Sequence, residues 1–280
     1  MSGLPAPSYT VLGAGGFVGR RLAASLRAAG HRVYTPARGD AGLFERPLGR
    51  LVYCAGLTAD YAARPFDTVQ AHVGLLARVL QEASFEHIVY LSSTRLYDSL
   101  GEHGGAPVTE DAALLLDPRQ GRHLYDLSKA LGENLCLNAS AGRGAVARLS
   151  CVYDWTAGAP GFLSEWLQRA GREKDLCIDS ASGIVRDYIH LDDVIAALAA
   201  MAARRSAGIV NVASGEQVSN AELAEVFQRH GWSVRLARDS ARERRAPCSV
   251  SRLAQLGVAA RPVRAVLDAC LGTEVLHAPD

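Results

Sequence analysis

Charge of either sign in excess is the first thing missing from this 280-residue chain, whose 30 basic and 29 acidic residues leave a net charge of +1. Without a sustained basic field, neither nucleic acid nor an anionic membrane surface is an expected partner, and a small molecule is. No run of about 18 apolar residues occurs, so no membrane span is expected. Met1 to Ser8 has neither the charged start nor the apolar centre of a signal peptide, which makes the cytoplasm the expected location. Cysteine pairing is also absent. The cysteines at 54, 136, 151, 177, 248 and 270 form no C-x-x-C pair and lie mostly in apolar stretches, as small buried hydrophobes do in a reducing compartment. Neither a disulfide nor a metal site is expected. Lysine is nearly lacking too, since only Lys129 and Lys174 are not arginine among the 30 basic residues. What remains, 49% hydrophobic and 21% charged residues, is enough for a substantial apolar core and excludes disorder.

The pattern along the chain predicts strands alternating with helices. Tyr9 to Leu12 reads as a strand, followed by a glycine cluster and by Val18, Leu22 and Leu26 at helical spacing, closed by Gly30. Strands are predicted at His31 to Tyr34, Leu51 to Ala55, His87 to Leu91 and Ala145 to Leu149. Helices are predicted with Val69, Val73, Leu76 and Leu80 on an inner face, and from Tyr125 to Asn138. Such alternation implies an α/β fold, a Rossmann-type doubly wound parallel sheet with ligands at the carboxyl ends of its strands. The expected division is a dinucleotide-binding domain at 1–150 and a smaller, mainly substrate-binding region at 151–280, with the segment around 184–205 free to return to the first. In that second half Gly158 to Gly161 reads as a loop, Leu191 to Met201 and Ala221 to His230 as helices, and Ile209 to Val212 as a strand.

The turn Gly13-Ala14-Gly15-Gly16-Phe17-Val18-Gly19 stands directly after a strand and before an amphipathic helix. Glycines there let the backbone approach a pyrophosphate, while the helix start offers free N–H donors. Gly13, Gly16, Phe17, Val18 and Gly19, with Ala55 at the end of the third strand, are therefore the candidate dinucleotide contacts. The second strand lacks the acid that usually binds the NAD ribose and runs instead through Val33-Tyr34-Thr35-Pro36-Ala37-Arg38. The Arg38 guanidinium suits a 2′-phosphate, which favours NADP. A plain surface arginine is the alternative, and Asp40 keeps NAD open.

Tyr125 and Lys129, four residues apart, share one face of a helix. An ammonium beside a phenol makes a proton-transfer pair, because the cation favours the phenolate. Ser93, at the carboxyl edge of the sheet, could hydrogen-bond the reacting oxygen.

Taken together, Gly-x-x-Gly-x-x-Gly at 13 to 19, Ser92-Ser93-x-x-Leu96-Tyr97 and Tyr125-x-x-Ser128-Lys129 resemble the extended short-chain dehydrogenase/reductases, the NAD(P)-dependent sugar epimerase/dehydratase family. Arg148 to Tyr153, Val185 to Val194 and Asn211 to Gly215 resemble its later signatures in order. The resemblance implies that Tyr125 is the acid/base, that Lys129 holds the nicotinamide ribose, that Ser93 orients the substrate oxygen, and that Arg186 contacts nucleotide-sugar phosphates. A salt bridge to Asp187 or Asp192 is the structural alternative for Arg186. It also implies a homodimer through the helices around Val69 to Ala83 and Tyr125 to Asn138.

Departures from the family pattern narrow the reaction. Asp126 replaces a glycine after the tyrosine, Cys151 an asparagine, Asp154 a glycine and His72 an asparagine, the last read as a polar residue on a helix flank. Thr94-Arg95 follows Ser93 where dehydratases carry Asp-Glu, which argues against 4,6-dehydration. The expected function is NADPH-dependent reduction of a keto group, at C4, of a nucleotide-linked deoxysugar. An NAD-retaining epimerase is the alternative. A non-catalytic dinucleotide sensor is a third reading, opposed by the retention of Ser93, Tyr125 and Lys129.

Overall fold

The computed structural model describes residues 8–102 and 105–273, so of the Met1 to Ser8 stretch only Ser8 is among the described residues. The chain divides into two compact units, and the division is interleaved. One comprises residues 1–99, 113–148 and 195–210; the other comprises 100–112, 149–194 and 211–280.

The first unit opens with β1 (Tyr9–Leu12), buried along its whole length, and α1 (Phe17–Ala28), which buries Gly19, Leu22, Ala23 and Leu26 at helical spacing. Gly30, at φ +82, ends that helix in the left-handed conformation. Next come β2 (Val33–Tyr34), α2 (Gly42–Glu45), β3 (Arg50–Tyr53), α3 (Pro65–Val69), a π-turn (Gln70–Gly74), α4 (Leu75–Glu82), β4 (His87–Ser93), a 3-10 turn (Thr94–Leu100), α5 (His123–Ala139) and β5 (Gly144–Leu149). The second strand is thus shorter than the expected His31 start, and β4 runs two residues further, so Ser93 ends a strand instead of following one.

The π-turn changes the face of its helix. One extra residue per turn rotates everything before it. The buried positions are therefore Thr68, His72, Leu76 and Val79, while Val69 is exposed, correcting its expected place on the inner face.

The remaining elements are β6 (Cys151–Tyr153), α6 (Phe162–Ala170), β7 (Asp175–Ala181), β8 (Val185–His190), α7 (Leu191–Arg204), β9 (Gly208–Val212), β10 (Gln217–Ser219), α8 (Asn220–Arg229), β11 (Ser233–Arg238), α9 (Ser251–Gln255) and α10 (Val263–Leu271). A six-stranded parallel sheet runs β2-β1-β3-β4-β5-β9. β2 and β3 flank β1 on opposite sides, with Tyr9 opposite Val33 and Arg50. The strand order therefore reverses between β1 and β3, the crevice where such sheets bind ligands. Beneath it lies a core of Leu12, Leu51, Tyr53, Leu76, Ile88, Tyr90 and Val146.

The second unit holds a three-stranded sheet, β10-β8-β6, and a parallel pair, β11-β7. Its core is built on Trp166, Leu167, Tyr188, Phe227 and Leu267. α8 begins with a reciprocal capping box between Ser219 and Glu222.

Candidate active site

The glycine turn sits at the β1/β3 crevice. Gly13 has φ +86, and a Cβ there would lie 2.7 Å from the Ala55 backbone nitrogen; one on Gly19 would lie 2.4 Å from the Gly13 carbonyl oxygen. These two positions require glycine, and Ala55 borders the same turn. Gly16 precedes α1 with no side chain capping the helix start, which leaves its first N–H groups available to an anion. Phe17 and Val18, half-buried, form the first residues of α1. A bare backbone cradle beside uncapped N–H donors fits a dinucleotide pyrophosphate.

Arg38 lies exposed in the loop after β2. Asp40 is otherwise engaged: it accepts from Tyr34 Oη at 2.8 Å and from the Gly42 N–H at 2.9 Å. Those two donors hold its carboxyl below the usual carboxylate range, so its lone pairs serve the start of α2.

Ser93, Tyr125 and Lys129 converge. β4 ends at Ser93, and α5 carries Tyr125, Ser128, Lys129, Gly132, Glu133 and Cys136 buried along one stripe. The polar face of this helix is the one it buries. Gly132 permits the approach, since a Cβ there would meet Tyr90 Oη at 2.3 Å. The Tyr125 hydroxyl is within hydrogen-bonding reach of the Ser93 and Thr58 side chains. Burial pushes the phenol up to about 12, while Ser93, Arg95 and Thr58 pull it down and Asp126 pushes it further up. Lys129 donates to the Leu91 carbonyl at 2.8 Å and lies 5.0 Å from the Tyr90 ring centre and 6.0 Å from that of Tyr125. Burial lowers its ammonium to about 7, against the pull of Glu133.

His72 is fully buried, which overturns its reading as a polar residue on a helix flank. The Leu57 N–H donates to its Nε2 at 3.2 Å, and its Nδ1 lies 2.8 Å from Ser128 Oγ, which donates to the Tyr125 carbonyl at 2.8 Å. With Nε2 accepting, the proton sits on Nδ1, and a single direction of donation runs from Leu57 to Tyr125. Burial, then Lys129, lowers His72 to about 3, so it stays neutral at physiological pH. The residues not anticipated from the sequence are Thr58, Tyr61 and Arg95. Of these, Arg95 alone carries a sequence signal, standing at the place of the missing acid.

α5 is tied to the sheet by Arg148. Its Nε and Nη2 donate to the Glu133 carboxylate at 2.9 and 2.6 Å, and its Nη1 to Tyr97 Oη at 2.6 Å.

Arg186 lies in the second unit, its guanidinium 4.8 Å from the Phe162 ring centre, with Nη1 buried and lacking a hydrogen-bond partner. The alternative salt bridge to Asp187 is not made. Asp187 instead accepts from the Ser214 N–H, Ser214 Oγ and the Gly215 N–H at 2.9, 3.0 and 2.8 Å.

A dinucleotide cradle beside a Ser-Tyr-Lys cluster defines a class of nicotinamide-dependent enzymes. The chain belongs to the NAD dependent epimerase/dehydratase family, whose model matches residues 9–213. Solved structures share the fold at low identity. MoeE5, in complex with UDP-glucose and NAD, is 22% identical with a TM-score of 0.73, over 95% of this chain and 97% of that one. RMD from Pseudomonas aeruginosa, complexed with NADPH, is 21% identical with a TM-score of 0.71, over 95% and 97%. The UDP-N-acetylglucosamine 4-epimerase from Methanobrevibacter ruminantium M1, in complex with UDP-N-acetylmuramic acid, is 16% identical with a TM-score of 0.75, over 96% and 98%. A search of curated proteins finds no significant match. Among the described residues no helix is long and apolar enough to cross a membrane.

Proposed function

We propose that the chain reduces a keto group, at C4, of a nucleotide-linked deoxysugar with NADPH as the reductant. The observation that carries this reading is the convergence of Ser93, Tyr125 and Lys129, with the phenol held in its protonated, proton-donating form by burial. The dinucleotide, when bound, supplies the hydride. Tyr125 gives its proton to the carbonyl oxygen as that oxygen gains charge, Ser93 Oγ orients the same oxygen, and Lys129 holds the nicotinamide ribose and offsets the charge left on Tyr125. Arg186, whose guanidinium rests against the Phe162 ring, contacts the nucleotide phosphates.

NADP is preferred to NAD for two reasons. Arg38 is exposed in the loop after β2, and Asp40 is occupied by Tyr34 and Gly42. An NAD-retaining nucleotide-sugar epimerase is the second reading, favoured by the similarity to MoeE5 with NAD and to the Methanobrevibacter epimerase. The enzyme works as a cytoplasmic homodimer in this account. Phe66 and Val69 on α3 and Leu131 on α5 are exposed apolar side chains on helices that pack together, as a face covered by a second copy requires.

The test is turnover of 4-keto nucleotide sugars, followed by loss of nicotinamide absorbance. Wild type should consume NADPH in proportion to substrate, and Tyr125→Phe should abolish turnover with cofactor affinity within a few-fold. Interconversion of C4 epimers with no net cofactor consumption would select the second reading. Unchanged turnover in Tyr125→Phe would remove the tyrosine from the chemistry.

A further inference from the structure

Two departures from the family pattern, Arg95 and Asp126, meet in space. Arg95 Nε lies 3.1 Å from Asp126 Oδ1, with the arginine side chain 28% exposed and the aspartate 3%. Its Nη2 donates to Tyr61 Oη at 2.8 Å and to the Arg122 carbonyl at 3.0 Å. The guanidinium carbon held by these contacts stands 5.1 Å from the Tyr125 ring centre and 4.8 Å from that of Tyr61, and the two rings are 5.5 Å apart. A guanidinium fixed by an ion pair and two hydrogen bonds does not wander from the ring it covers.

From this arrangement we infer that Arg95 and Asp126 act together as a positioning pair that sets the acidity of Tyr125, Arg95 stabilising the phenolate and Asp126 opposing it while holding Arg95 in place. The inference rests on Tyr125 being the proton-transfer group. A cation over the ring face favours the anionic form, and a carboxylate one residue along the helix disfavours it.

The other groups around Tyr125 do not duplicate the pair. From its own helix comes Lys129, whose Nζ is 6.0 Å from the ring centre, farther than the guanidinium. From the π-turn comes His72, with its ring at 5.3 Å and edge-on. From β4 come Ser93 and Tyr90, and from the loop after β3 come Thr58 and Tyr61, which bring hydroxyls and no carboxylate or ammonium. Asp98, on the 3-10 turn, acts on both members of the pair. Arg95 and Asp126 therefore form an ion pair whose cation stands closer to the Tyr125 ring centre than Lys129 Nζ does. A glycine at 126 would remove the carboxylate paired with Arg95, and an uncharged residue at 95 would remove the guanidinium paired with the buried Asp126. The two departures make sense as one unit.

The experiment is the pH dependence of kcat in Arg95→Met, Asp126→Asn and the double variant, with cofactor saturating and Tyr125→Phe as reference. Arg95→Met should move the limb belonging to Tyr125 up by about one pH unit, Asp126→Asn should move it down by a comparable amount, and the double variant should fall between them. A structural role alone would lower kcat without opposed shifts. Arg95→Lys, which keeps the charge, should return the limb part of the way. Should Arg95→Met fail to fold, the downward shift in Asp126→Asn carries the test by itself. Unmoved limbs, or both limbs moving the same way, would overturn the pairing while leaving the role of Tyr125 intact. An active Tyr125→Phe would instead overturn the reading beneath it.

Discussion

Replacing Arg148 by methionine tests how the catalytic helix is anchored. Arg148 on β5 and Glu133 on α5 are 3% and 5% exposed in their side chains, and the guanidinium also satisfies Tyr97 Oη. Glu133 lies one helical turn beyond Lys129, so this contact fixes the register of α5 on the sheet. Methionine keeps much of the volume but leaves a carboxylate buried without its two donors. Breaking a buried pair by removing one partner costs about 3–5 kcal/mol, far above the roughly 0–1 kcal/mol of an exposed pair. For a chain of this size, where each kcal/mol is worth about 2–4 °C, the loss corresponds to a fall in Tm of roughly 10 °C. Urea denaturation should show a lower midpoint at unchanged slope. Glu133→Gln retains an acceptor for Arg148 and should cost less. Combining it with Arg148→Met should cost clearly less than the sum, because the second change removes the uncompensated charge left by the first. A loss below about 1 kcal/mol in Arg148→Met, or strict additivity in the double variant, would refute this reasoning.

Three further outcomes follow from the same geometry. Gly13→Ala should weaken dinucleotide binding by calorimetry and lower stability by about 1–3 kcal/mol, since its Cβ would lie 2.7 Å from the Ala55 nitrogen at a backbone φ of +86. Lys129, lowered from the ordinary 10.5 to about 7 by burial, binds fewer protons folded than unfolded between those values. Cofactor-free protein should therefore gain stability as pH rises from about 7 towards 10, and Lys129→Met should flatten that rise in urea titrations. His72, held at about 3 by burial and Lys129, should show no titration of its ring signals by NMR between about pH 5 and 8. A midpoint near 6.5 would place it in water, contrary to its bonds with Leu57 and Ser128.

Much of the site could be read from spacing. Tyr125 and Lys129 stand four apart, Ser93 closes an apolar run, and glycines punctuate a strand-to-helix turn; each is a local pattern with a local physical meaning. The parallel sheet was legible for the same reason, through alternating apolar segments. What escaped was non-local or off-period. A π-turn at Gln70–Gly74 shifts helical phase by one residue, so Val69 looked buried and His72 peripheral. In the sequence Arg95 marks only the place of a missing acid, and its closeness to Tyr125 does not show because its partners Tyr61 and Asp126 lie 34 and 31 positions away. β7 offered an alternating signal, with Leu176 and Ile178 buried between exposed neighbours, in a half of the chain whose short strands were otherwise masked by loops. The interleaving of Leu100–Ala112 with the second unit depends on pairings such as Val108 with Cys248, which no local pattern encodes.

The most direct measurement is the equilibrium affinity of the purified protein for NADPH, NADP, NADH and NAD, made beside Arg38→Ala. Tighter binding of the two phosphorylated forms, with the preference lost in Arg38→Ala, is the result this account predicts. Tight NAD binding indifferent to Arg38 would contradict the reductase and favour the epimerase, and failure to bind any of the four would contradict the dinucleotide site itself.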